Sequence, residues 1–96
     1  MTTIATASIT AEDTFTDPAR LEGYFNLSLS GTLAATVTVQ RSIDNSTWVD
    51  VNTYTANFEG TGFEPEFMWY RVGVKTGDFT SGTVAIRLGR EDKDRH

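Results

Sequence analysis

The sequence contains no cysteine. That absence excludes disulfide bonds, thiolate nucleophiles and zinc sites of the cysteine type. Histidine occurs once, as the last residue, His96. Basic residues are in the minority, eight Lys and Arg against thirteen Asp and Glu, for a net charge of −5. A surface of that sign repels phosphate, and the basic stripe of a nucleic-acid binder is missing, so no nucleic-acid partner is expected. No run approaches the ~20 apolar residues of a membrane-spanning helix. The first ten residues lack the basic and apolar segments of a secretory signal, and no membrane partner is expected. Helical periodicity never persists over more than two turns, and proline appears only at Pro18 and Pro65.

What remains is strand patterning. A chain of 96 residues makes one domain, able to bury about 60–65% of its unfolded surface. In residues 24–30, Phe25, Leu27 and Leu29 alternate with Asn26, Ser28 and Ser30. In residues 36–54, Val37 and Val39, then Val49 and Val51, alternate with polar residues around a polar centre. This period of two predicts a hairpin with one buried face, arms 33–42 and 47–55, and Thr36, Thr38 and Gln40 facing water. Residues 67–75 place Met68, Tyr70, Val72 and Val74 on one face; residues 83–89 do the same with Val84, Ile86 and Leu88.

Turns are expected at Gly31-Thr32 and over residues 76–82, where Gly77 and Gly82 suit positive φ. Residues 56–65 read as a loop, and residues 18–22 allow a short helix starting at Pro18. Residues 1–10 form an N-terminal arm or edge strand, and 90–96 a charged tail. The pattern predicts an all-β chain with no substantial helix: a single antiparallel β-sandwich over residues 1–89, of about 6–8 strands, jelly-roll or immunoglobulin-like.

Three groups of residues are candidates for function. Asp44, Asn45, Ser46 and Thr47 form a turn in which the Asp carboxylate accepts backbone N–H bonds. With Ser42 and Trp48 this segment resembles a degenerate Asp box, one residue short and without its glycine, a structural rather than a catalytic feature. Trp48, Trp69 and Tyr54 could form an aromatic platform for a sugar ring, since both tryptophans lie opposite the valine face of their strands. Ile4, Ile9, Phe58, Phe63 and Phe67 are candidate interface residues, on the arm and on the loop before the third clear strand. The carboxylates are scattered, and none has a sequence neighbour that would tune its pKa. No catalytic residue, metal site or cofactor is expected.

Gly31-Thr32, the run from Thr36 to Ser42, Asp44, the run from Thr47 to Val51, and the run from Tyr70 to Gly82 together resemble a group of small tailed-bacteriophage virion proteins. The resemblance covers about residues 24–88 and departs only where Asn45-Ser46 replaces a glycine-rich turn. It implies a non-enzymatic structural component of the virion, a head decoration or head-fibre-like β-sandwich, made in the bacterial cytoplasm. Its expected partners are the major capsid protein or another virion protein and further copies of itself, a trimer being compatible. The alternative is a carbohydrate-binding module for host glycans, using Trp48 and Trp69.

Overall fold

The computed structural model describes residues 2–90, the side chains of Thr2 and Leu33 excepted. Within them the chain is all-β and antiparallel: β1 (Thr2–Ile9), β2 (Thr14–Phe15), β3 (Ala19–Ala35), β4 (Val37–Ser42), β5 (Val49–Tyr54), β6 (Phe58–Val74) and β7 (Phe79–Arg90). The strands form one hydrogen-bonded sheet in the order β1-β7-β3-β6-β4-β5, with β2 pairing β6 off this path.

Two strands are 17 residues long, about three times the usual length. Each is long enough to pair with more than one neighbour along its length. Residues Phe25 to Ala35 of β3 pair with β7, and Ala19 to Leu29 pair with β6. The far half of β6 pairs with β4 through Trp69 to Gly73. Between Leu21 and Gly23 the register shifts, so that Pro65, Glu66 and Phe67 of β6 form a bulge opposite Glu22. A bulge is one of the few places where a strand accepts proline.

The two halves of the sheet share one core. Ile9, Leu27, Leu29, Val84, Ile86 and Leu88 come from one half; Leu21, Val37, Val39, Met68, Tyr70, Val72 and Val74 come from the other. At one end Thr36 N–H donates to the Asp78 carbonyl, so the β3–β4 link and the β6–β7 turn meet. Gly77 and Gly82 both take positive φ, 89° and 95°. A Cβ on Gly82 would collide with the Thr32 carbonyl opposite.

Several expected boundaries shift. Residues 18–22 form no helix; Ala19 begins β3, and Ala19 and Leu21 are buried core residues paired with Tyr70 and Met68. Gly31-Thr32 is no turn, because cross-strand pairing with Val84 and Thr83 carries β3 through it. Residues 58–65 are strand rather than loop, held by Tyr24 to Leu29. The first hairpin arm begins at Val37, not at residue 33. Arg90 ends β7 and pairs with Phe25; the rest of the expected tail lies outside the described residues.

Two facial assignments also change. Val49 and Val51, expected inward, are exposed. Thr38 and Gln40, expected outward, are buried. Both follow from position in the sheet. β4 lies between β6 and β5 and is covered on both faces. β5 is the terminal strand and is covered on neither.

Candidate functional site

The outer face of the β4–β6 half carries a ladder of stacked cations and rings. Phe67, Trp69 and Arg71 alternate along β6 and so share that face. The Arg71 guanidinium lies 4.3 Å from the centre of the Phe15 ring and 4.5 Å from Trp48. Arg20, paired with Trp69 across the strands, lies 4.8 Å from Phe67 and 5.5 Å from Trp69. Arg71 Nε donates to Gln40 Oε1 at 2.7 Å, Gln40 Nε2 to Asp50 Oδ1 at 2.8 Å, and Lys75 Nζ to Asp50 Oδ2 at 2.7 Å. This chain explains the buried Gln40: both ends of its amide are satisfied. Lys75 and Gln40 hold the Asp50 carboxyl below its usual range. Burial lowers the Arg71 pKa, against the opposing pull of Asp13.

The opposite face of β4 and β5 carries a concavity of about 590 Å³. Its floor holds an ion pair that the scattered carboxylates did not suggest. Glu64 is 1% exposed, and its carboxylate accepts Arg41 Nε at 2.7 Å and Nη2 at 3.0 Å. It also accepts the Tyr70 hydroxyl at 2.7 Å and the Glu66 N–H at 3.1 Å. Burial alone would raise the Glu64 pKa; the Arg41, Tyr70 and Glu66 donors outweigh it, and the net direction is down. Burial first, then the Glu64 carboxylate, push the Tyr70 hydroxyl up to about 12. Arg41 is held charged by Glu64. The Pro65 bulge lies beside Glu64 in the chain, and Arg41 sits on the inward parity of Val37 and Val39. A cation on a buried face requires a partner, a sequence signal that could have found this pair but was not read.

Around this pair stand Ile43 (75% exposed), Val49 (63%), Val51 (50%) and Phe63 (58%). They are four of the six large apolar side chains exposed on the described surface. A fifth, Tyr24, packs against Phe63 with ring centres 4.9 Å apart. A second, smaller hollow of about 220 Å³ shares Val51, Phe63 and Tyr70 and runs on to Tyr54 and Phe58. The result is a continuous apolar surface in which both lining acids, Asp50 and Glu64, are paired with cations.

The candidate residues separate accordingly. Ile9 is fully buried and Ile4 packs against the core, so Ile9 is unavailable to a partner, because the arm is strand β1 paired to β7. Phe58 stacks on Tyr54, ring centres 4.3 Å apart, at the edge of the core. Phe63 lies in the concavity, and Phe67 lies on the outer ladder with Arg20. Tyr54 is not with the two tryptophans: it faces the apolar hollow, while Trp48 and Trp69 stand on the outer face.

The turn behaves as its composition predicts. Asp44 Oδ1 accepts Ser46 N–H at 2.9 Å, Thr47 N–H at 2.8 Å and the Ser42 hydroxyl at 2.9 Å. Those backbone donors hold its carboxyl below the usual range, and Asn45 takes φ 61°.

Comparison with family models, with curated proteins and with solved structures gave no match. The class of molecule is therefore defined by the fold and its surfaces: a small antiparallel β domain that presents a charge-balanced apolar concavity at one end of its sheet.

Proposed function

We propose that this chain is a non-enzymatic structural subunit that binds another protein through the concavity beside β5. Taken with the resemblance over residues 24–88, the reading is a decoration- or fibre-type subunit of a tailed-phage virion, docking on the capsid protein or another virion protein. The observation that supports it is the clustering of Ile43, Val49, Val51 and Phe63 around a satisfied ion pair. Contiguous exposed apolar surface with its charges neutralised is characteristic of protein-binding sites. The test is co-sedimentation with empty expanded capsids and with tail assemblies. Binding of the native chain and its loss in Val49→Asp and Phe63→Asp support the reading. No co-sedimentation with any virion part, or binding that survives both substitutions, overturns it.

A glycan-binding reading has one supporting observation, the shared outer face of Trp48 and Trp69. It has less support because each indole already stacks on a guanidinium, Trp48 on Arg71 and Trp69 on Arg20.

A further inference from the structure

The two ends of the sheet are treated differently by the sequence. At one end, β5 carries Asp50 in an ion pair with Lys75. A register shift between Val39 and Gln40 also leaves Val51 as an extra residue in β5. Charges and bulges on a terminal strand are how natural sheets discourage a further strand from pairing. At the other end, β1 reads TTIATASI, with no charge, no proline and no glycine. Its ladder to β7 runs without irregularity from Ala5 to Ile9. Among the described residues its other side pairs with nothing. An uncharged, regular, β-branched edge is a template for strand pairing.

We propose that the outer edge of β1 pairs with β1 of a second copy of this chain, antiparallel and about a two-fold axis at Ala7. The net charge of −5 makes most approaches of two copies repulsive. No residue from Thr2 to Ala11 carries a charged side chain, so two copies meet along β1 without opposed charged side chains. The register follows from the ladder. Centring on Ala7 pairs Ala5 with Ile9 and Thr6 with Ser8 and uses the whole regular stretch. Centring on Thr6 would draw Ile4, where the β1–β7 register slips, into the new ladder. The side chains agree with this choice. Ala5, Ala7 and Ile9 lie toward the core, so two cores become continuous, while the exposed Thr6 and Ser8 place hydroxyls opposite each other. Asp17, beside Thr3 to Thr6, then faces residues 8–11 of the other copy, which carry no charge.

This surface is separate from the concavity, and the two fail independently. The experiment is sedimentation equilibrium of the native chain and two double variants at exposed positions. The native chain is expected at twice the 10.6 kDa of one chain. Thr6→Lys with Ser8→Lys, which opposes like charges across the axis, is expected at the mass of one chain with an unchanged circular-dichroism spectrum. Thr6→Lys with Ser8→Glu, which opposes unlike charges, is expected to remain paired. A native chain that stays monomeric at millimolar concentration, a trimeric mass, or a Lys/Lys variant that still pairs overturns the proposal. Capsid co-sedimentation by the Lys/Lys monomer would show that docking through the concavity stands without it.

Discussion

Replacing Glu64 with glutamine removes one charge from the interior and changes almost nothing in shape. The native carboxylate accepts four hydrogen bonds, two from Arg41 and one each from Tyr70 and Glu66. A glutamine supplies one acceptor oxygen and turns an N–H₂ toward groups that are themselves donors. Removing one member of a buried ion pair costs about 3–5 kcal/mol. Arg41 is 39% exposed and can turn toward water, which places the cost at the lower end, about 3 kcal/mol. Against a total of about 5–15 kcal/mol that is a large share. At about 4–8 °C per kcal/mol for a domain of this size, the melting temperature at pH 7 should fall by about 12–24 °C. Thermal and urea unfolding followed by circular dichroism measure it. The pH dependence is a second readout. The Glu64 pKa is depressed in the folded state, so its contribution is full above the unfolded value of about 4.3 and is lost as pH falls through the folded value. The native protein should therefore lose stability below about pH 4.3 more steeply than Glu64→Gln. A loss under about 1 kcal/mol at pH 7, or parallel acid profiles, would refute the account of this pair.

Trp48→Ala removes a half-buried ring and the stacking on Arg71, and should cost about 1–3 kcal/mol; an unchanged melting temperature would show that the outer ladder is not structural. Tyr70 should be the tyrosine whose phenolate absorbance rises at about pH 12, and Tyr70→Phe should delete that transition. The linkage sign is opposite to that of Glu64. A raised folded pKa stabilises below the unfolded value of about 10, and the contribution is lost as pH climbs from there toward the folded value.

Much of the fold was legible because most of the core alternates with a period of two. Leu27, Leu29, Val37, Val39, the alternating residues of β6 and those of β7 point inward as the pattern requires. The hydrogen bonds of the Asp44 turn were legible because they are local. What the pattern could not carry was position in the sheet. Val49 and Val51 alternate as cleanly as Val37 and Val39, yet the first pair stands on a terminal strand and the second on a covered one. The same difference buries Thr38 and Gln40. Residues 56–65 read as a loop from two glycines, a proline and two acids, but tertiary pairing with β3 overrides that composition, and the bulge accommodates Pro65. The Arg41–Glu64 pair spans 23 positions, a separation at which no periodicity operates, and the inward parity of Arg41, the one signal that could have marked it, was not read.

The exposed valines are thus a consequence of the sheet's construction rather than an exception to it. β3 and β6 link the two halves of the sheet, both halves contribute to one core, and the terminal strand β5 extends beyond what that core covers. A partner that fills the concavity supplies the missing layer. The four side chains there are 50% to 75% exposed, so covering them contributes about 1–2 kcal/mol each, roughly 4–7 kcal/mol together. That only matches the lower estimates of the 4–15 kcal/mol lost when two molecules are fixed to each other. One copy acting alone through this surface should bind weakly. Two copies joined at β1 present two concavities, and engagement of the first raises the effective concentration of the second. A repetitive surface is where such a gain is realised. The unguarded edge at β1 and the apolar face at β5 therefore make more sense together than either does alone.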